Sequence, residues 1–244
     1  MLENFILWEK DLFLYLNGLH CSATLDAFMF LISAKWPWVM VCCALIIFLF
    51  YKKPSREALL FIVVAVLLMV VTDQLSSQLI KPLVARLRPT FHPETAALVQ
   101  TVYGYKAGGY SFVSGHATNF FAIATFTSIV FRNKWYSWVV FLTAFTIAYS
   151  RIYLGVHFIS DVVCGALLGF FVAFLFALLY HRIREFLFGK KRTGTKKRMR
   201  LSDTDKLFAP TIKYWTAFMI CFIVSLWFLG AQVADIVHLV SVTK

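Results

Sequence analysis

Apolar segments long enough to cross a lipid bilayer recur along this chain of 244 residues. A helix needs about 20 consecutive apolar residues to span the hydrocarbon layer. The candidate spans are Leu25–Tyr51, Ala58–Ile80, Ala117–Phe131, Trp135–Tyr149, Phe158–Tyr180 and Thr211–Val240. Apolar residues make up 60% of the chain, against roughly 45–50% in an average globular protein. The sequence therefore predicts an all-α, polytopic membrane helix bundle with about six transmembrane helices, and excludes a disordered chain.

The N-terminal segment differs from these spans. Between Met1 and Asn17, apolar residues alternate with charged residues at helical spacing. This pattern is typical of an amphipathic helix that lies on the membrane surface. The predicted organisation is an interfacial helix at 1–24, a membrane core at 25–181, a basic linker at 182–210 and a C-terminal transmembrane helix at 211–244.

The 24 lysines and arginines, against 12 acidic residues, indicate how the bundle is oriented. They concentrate at Lys52, Lys53 and Arg56, at Arg132 and Lys134, and between Arg182 and Lys206. These three loops share one side if each span crosses once, and the positive-inside rule assigns that side to the cytoplasm. The long basic loop either only sets topology or also binds anionic head groups. We expect no nucleic-acid partner, and the sequence does not indicate an oligomeric state.

Three clusters of polar residues lie on the opposite, outer side. They contain Lys81 and Arg88, then Ser114, Gly115 and His116, and finally Arg151, His157 and Asp161. Asp73 and Ser77 precede Lys81 at steps of four, so this polar stripe predicts a helix face turned toward protein or a water-filled cavity.

Each cluster also has a purely structural interpretation. Lys81 and Arg88 could extend to the head groups as membrane-boundary cations, Ser114 is a common type of helix N-cap, and an interfacial position would suit His116. His157 and Asp161 could be a pair at a helix start. The convergence of cations and two histidines on one outer face favours a binding site instead.

Together these residues suit a tetrahedral anion that loses one oxygen. Cations and helix-start N–H groups hold charge during phosphoryl transfer, in which positioning and electrostatics dominate catalysis. The spacing of His157 and Asp161 lets the carboxylate orient the imidazole, which leaves one ring nitrogen as base or nucleophile. No residues have metal-ligand spacing, so we expect no metal and no cofactor.

The motifs K-x6-RP, SGH and SR-x5-H-x3-D resemble the three signatures of the type 2 phosphatidic acid phosphatase family, which shares a superfamily with vanadium haloperoxidases. The resemblance covers roughly residues 25–180, with Val113 in place of the usual proline. It implies that His157 attacks phosphorus, that Asp161 orients it and that His116 protonates the leaving oxygen. It also implies the residues that hold the phosphate: Lys81, Arg88, Ser114, Gly115 and Arg151.

The implied function is a metal-independent phosphatase of a membrane lipid, in a bacterial inner membrane with its site facing the periplasm. We expect undecaprenyl diphosphate or phosphatidylglycerol phosphate as substrate, ahead of lipid A. A lipid phosphotransferase would carry the same motifs. An anion channel or transporter is a further alternative, because cations at a pore mouth select anions.

Overall fold

The computed structural model describes residues 2–50, 55–188 and 202–242, which are mostly helical. The α-helices are α1 (Leu2–Asn17), α2 (Ala23–Ser33), α3 (Trp36–Phe50), α4 (Ser55–Gln74), α5 (Lys81–Val84), α6 (Gly115–Phe131), α7 (Lys134–Tyr153), α8 (Ile159–Phe188) and α9 (Ser202–Val242). A π-helix, Leu75–Ile80, joins α4 to α5. The prediction of an all-α membrane bundle is confirmed.

Three helical segments are long and apolar enough to cross a membrane: Arg56–Val84, Ile159–Phe188 and Ile212–Val237. The bent pair α2–α3 would add a fourth span. The third and fourth predicted spans correspond to α6 and α7, which pack against each other and against α8 and α9, but neither passes the same criterion. The count of six crossings therefore stays a prediction.

The first predicted span, Leu25–Tyr51, is wrong as one straight helix. Instead α2 and α3 meet at 55°, with Ala34 and Lys35 between them. Pro37 has no N–H to donate to the carbonyl of Ser33 four residues earlier, so a regular helix loses that bond here. The break leaves this carbonyl available to a partner outside its own helix.

Glycines set the close approach of α6 and α8. A Cβ atom on Gly165 would lie 2.7 Å from the carbonyl oxygen of Ser114, and one on Gly169 would overlap the carbonyl of Thr118. Small residues at this spacing allow two helix backbones to pack closely in a membrane. As a result, the start of α8 lies against the start of α6, and two of the three polar clusters are brought together.

The terminal helices pack on this centre. In α1, Phe13 is fully buried, and its ring packs edge-on against Phe158 at 5.2 Å between centroids. The buried Asn17 of α1 donates to the carbonyl of Tyr153 at 2.9 Å. Part of the polar face of α1 therefore contacts protein, and its position at the membrane interface stays a prediction. The helix α9 packs mainly against α2. Residues 189–201 of the predicted basic linker lie outside the described residues, and the two ends of the linker belong to α8 and α9.

Candidate active site

A cavity of about 430 Å³ lies where the α2–α3 break meets α4, the start of α6 and the end of α7. Six of the eight predicted site residues line it: Lys81, Arg88, Gly115, His116, Arg151 and His157. Asp73 and Ser77 line it as well, so the polar stripe that runs from α4 through the π-helix to α5 faces this cavity. The predicted residues Ser114 and Asp161 are fully buried behind the wall.

His157 lies in the loop before α8 and is 2% exposed. Its Nε2 is 3.2 Å from Nη1 of Arg88. Burial, together with the charges of Arg88 and Arg151, lowers the pKa of His157 to about 3, although the contact with Asp161 opposes this shift. The imidazole is therefore neutral at physiological pH, and a neutral ring nitrogen beside a cation can act as a nucleophile.

Ser111 mediates the contact between His157 and Asp161. The Nδ1 of His157 is 3.6 Å from the carboxylate of Asp161 and 3.3 Å from the hydroxyl oxygen of Ser111, and this hydroxyl donates to Asp161. The sequence placed Asp161 beside His157 but did not identify Ser111 as the bridge. A hydroxyl that accepts from Nδ1–H and donates to a carboxylate fixes the imidazole tautomer with Nε2 unprotonated.

The carboxylate of Asp161 is held by contacts from two further groups. It accepts from the backbone N–H of Phe158 at 2.9 Å and from Nη1 of Arg86 at 2.7 Å. Arg86 also donates to Glu9 of α1 at 2.8 Å, and Glu9 accepts from the N–H of Ser160 at 2.8 Å. Charge-assisted hydrogen bonds of this kind are short and strong. The N-terminal helix thus supports the carboxylate behind His157, and sequence reasoning missed this role of Glu9.

Two buried arginines bring cations to the cavity. Arg88 donates from Nε to the carbonyls of Gly108 and Gly109 at 3.1 and 3.0 Å. Arg151 donates from Nη1 to the hydroxyl of Ser33, while its buried Nε has no hydrogen-bond partner among the described residues. Buried donors in native proteins are nearly always satisfied. The Nε of Arg151 is therefore a buried donor whose hydrogen bond the described residues do not supply.

The α2–α3 break also contacts the second histidine. Nε2 of His116 is 3.2 Å from the carbonyl oxygen of Ser33, the group that Pro37 leaves without a helical donor. If Nε2–H donates to this carbonyl, Nδ1 is the nitrogen that exchanges protons with a ligand. Two residues before His116, the hydroxyl oxygen of Ser114 lies 3.5 Å from the backbone nitrogen of Ala117 and caps α6. The side chain of Ser114 is therefore a helix N-cap, as its structural interpretation predicted.

Comparisons with known proteins identify the family of the chain. Residues 58–185 match the family described as the PAP2 superfamily. The chain is 42% identical over 230 residues to the lipid A 4'-phosphatase of Porphyromonas gingivalis, with 94% of each chain covered. It is 37% identical to the lipid A 4'-phosphatase of Bacteroides thetaiotaomicron over 72% of this chain and 78% of that relative.

Two solved structures share the fold. The crystal structure of Aquifex aeolicus LpxE is matched with a TM-score of 0.51 and 28% identity, over 70% of this chain and 94% of the other. A PAP2 type phosphatidylglycerolphosphate phosphatase from Bacillus subtilis is matched with a TM-score of 0.54 and 24% identity, over 75% and 90%. The site geometry, the family match and the full-length relatives lead to one conclusion: the chain belongs to the PAP2 superfamily, among its membrane-embedded phosphatases.

Proposed function

We propose that this protein removes a phosphate group from lipid A. The observation that carries the proposal is the similarity to the lipid A 4'-phosphatase of Porphyromonas gingivalis, which extends over 94% of the chain. Relatives named phosphatidylglycerophosphatase B and undecaprenyl-diphosphatase match less than half of the chain. This order of similarity favours lipid A over the two substrates that the sequence motifs alone placed first.

The reaction begins with nucleophilic attack at phosphorus. Nε2 of His157 forms the new P–N bond while the bond between phosphorus and the lipid oxygen breaks. Burial and the charge of Arg151 lower the pKa of His116 in the free protein, and the negative charge of the bound phosphate opposes this shift, so that the ring enters the step protonated. His116 then donates its proton to the lipid oxygen, which leaves as an alcohol. Lys81, Arg88 and Arg151 hold the other phosphate oxygens, whose charge grows in the transition state. We assign the N–H groups at Gly115, with Ser114, to the same anion.

Water completes the cycle. His116, now neutral, accepts a proton from a water molecule that attacks the phosphohistidine. The P–N bond breaks, inorganic phosphate leaves and Nε2 of His157 regains its lone pair. Throughout both steps Asp161, acting through Ser111, keeps the proton of the imidazole on Nδ1.

The membrane arrangement follows from charge. The positive-inside rule places the basic loops in the cytoplasm, so the cavity faces the outer side of the inner membrane in a bacterium. Because the cavity lies where the spans end, a lipid phosphate can enter from the side while its acyl chains remain in the bilayer.

A panel of lipid substrates tests the proposed function. The purified protein in detergent with excess EDTA is incubated with lipid A, undecaprenyl diphosphate, phosphatidylglycerol phosphate or phosphatidic acid. We expect kcat/KM to be highest for lipid A, by about tenfold or more, with a product that mass spectrometry shows to be one phosphate lighter. EDTA is expected to leave the rate unchanged, because cationic side chains carry the role that a metal has in other phosphotransferases.

Three results would contradict the proposal. Preference for another lipid of the panel would exclude lipid A as the main substrate, and a strict metal requirement would exclude the mechanism. Phosphate that appears on an acceptor lipid but not in solution would identify a phosphotransferase.

A further inference from the structure

The cavity is larger than a phosphate group requires. A phosphate has five non-hydrogen atoms, and these fill at most about 150 Å³ if each occupies no more than the roughly 30 Å³ of a liquid water molecule. The cavity measures about 430 Å³. More than half of it is therefore available to the part of the substrate that carries the phosphate.

One wall of the cavity has chemistry that a phosphate does not explain. Asp73 lines the cavity together with Lys81, Arg88 and Arg151, although a carboxylate repels a phosphate. It precedes Lys81 by eight residues, which places it roughly 12 Å along the helix axis from that lysine. An ionisable group within a membrane span is costly and marks a functional site by default.

The Asp73 carboxylate is nearly unused by the protein. The side chain of Asp73 is exposed, and among the described residues no lysine, arginine or histidine lies within 4.0 Å of its carboxylate. The Nδ2 group of Asn119 donates to it at a long 3.4 Å. A carboxylate offers about four acceptor positions, so most of them remain open to a ligand.

Asn119 itself is oriented by the protein. The hydroxyl of the buried Thr72 lies 2.8 Å from Oδ1 of Asn119, which directs the amide NH2 toward Asp73. Asn119 also lines the cavity. A carboxylate beside an oriented amide presents acceptors and donors to neighbouring hydroxyl and N–H groups, which are the groups that a sugar ring carries.

We propose that Asp73 and Asn119 form a subsite that binds the sugar to which the scissile phosphate is attached. This subsite rests on the proposed function, because lipid A carries its phosphates on sugar rings. The hydroxyl and amide groups of this sugar donate to Asp73, while the scissile phosphate lies against Lys81, Arg88 and Arg151. A phosphate lipid without such donors gains nothing from this contact, so the subsite selects sugar phosphates over glycerolipid phosphates.

Asp73→Asn tests the subsite because it keeps the shape of the side chain and removes its charge. The measured quantity is kcat/KM for lipid A divided by kcat/KM for phosphatidic acid, whose acylated glycerol has no free hydroxyl beside the phosphate. We expect this ratio to fall by about 10- to 100-fold, the usual effect of losing hydrogen bonds to a charged partner. Asn119→Ala is expected to lower the same ratio, which provides a second variant at the subsite.

Asp235→Asn is the matched control, because Asp235 is an exposed acid of α9 that does not line the cavity. In this variant the ratio of kcat/KM for lipid A to kcat/KM for phosphatidic acid should stay at its wild-type value. If Asp73 only balances the charge of the cations, Asp73→Asn will change both rates equally, and an unchanged ratio would overturn the subsite while leaving the proposed function intact. A wild-type protein that hydrolyses phosphatidic acid but not lipid A would overturn both proposals.

Discussion

Replacing His157 by alanine is expected to reduce phosphate release by at least about 10⁴-fold, to the background of the assay. Loss of a nucleophile that forms a covalent intermediate has effects of this size or larger. The neutral imidazole lies next to Arg88, with Nε2 toward that cation, and no other described histidine shares this placement. The measurement is phosphate release from lipid A over a long incubation at high protein concentration.

His181→Ala is the matched control for this loss. His181 lies in α8, about 33 Å along the helix axis from the start of that helix at Ile159, and it does not line the cavity. We expect the control to keep wild-type turnover and both variants to elute as folded protein in detergent. A His157→Ala protein with wild-type turnover would show that another group attacks phosphorus.

Replacing His116 by alanine is expected to lower turnover of lipid A by about 10²- to 10⁴-fold, the usual contribution of a general acid. The sugar alkoxide of lipid A is a poor leaving group and needs a proton as the P–O bond breaks. An aryl phosphate releases a phenolate that is stable without a proton. The first chemical step on an aryl phosphate should therefore be affected much less than on lipid A.

The comparison of leaving groups separates catalysis from structure. The first step is followed as the initial burst of phenolate, because His116 also assists the later attack of water. An equal loss of the first step on lipid A and on the aryl phosphate would show that His116 positions the substrate or supports the fold instead of donating a proton. The carbonyl of Ser33, 3.2 Å from Nε2, should hold the ring in place in the wild-type protein.

Much of the site was predictable because placing charged and titratable side chains in a membrane costs free energy. Charged and titratable groups at the ends of apolar spans indicate a functional site, and the combination of cations, helix-start N–H groups and histidines in the three clusters predicted phosphoryl transfer. The close approach of α6 and α8 then brought His116 and His157 to one cavity. The helical stripe that runs from Asp73 to Lys81 also reached this cavity, even though the intervening π-helix departs from the spacing used to predict it.

The supporting contacts were not predictable, because they join segments far apart in the chain. Glu9 and Arg86 are separated by 77 residues, and the periodicity of α1 indicates only which of its residues are polar. Ser111 carries no motif that distinguishes it from a loop serine. The same holds for Ser33, which acquires its role from a break in an apolar run that composition alone predicts to be continuous.

The break at Pro37 has a physical explanation that the sequence contained. Hydropathy averages over a window, so a single proline in an apolar run lowers the score little, although it removes one backbone donor. In this protein the carbonyl of Ser33, which lacks a helical donor, contacts His116. The hydroxyl of Ser33 accepts a hydrogen bond from Arg151. A proline inside a predicted span therefore indicates where the helix can break, and at such a break a backbone carbonyl becomes available to a polar side chain.

The stereochemistry at phosphorus tests the central claim most directly. An aryl phosphate made chiral with oxygen isotopes and sulfur is hydrolysed by the protein in isotopically labelled water, and the configuration of the released thiophosphate is determined. Each in-line displacement inverts phosphorus, so transfer to His157 followed by transfer to water predicts net retention. Net inversion would mean that water attacks directly, and it would contradict the phosphohistidine mechanism at this site.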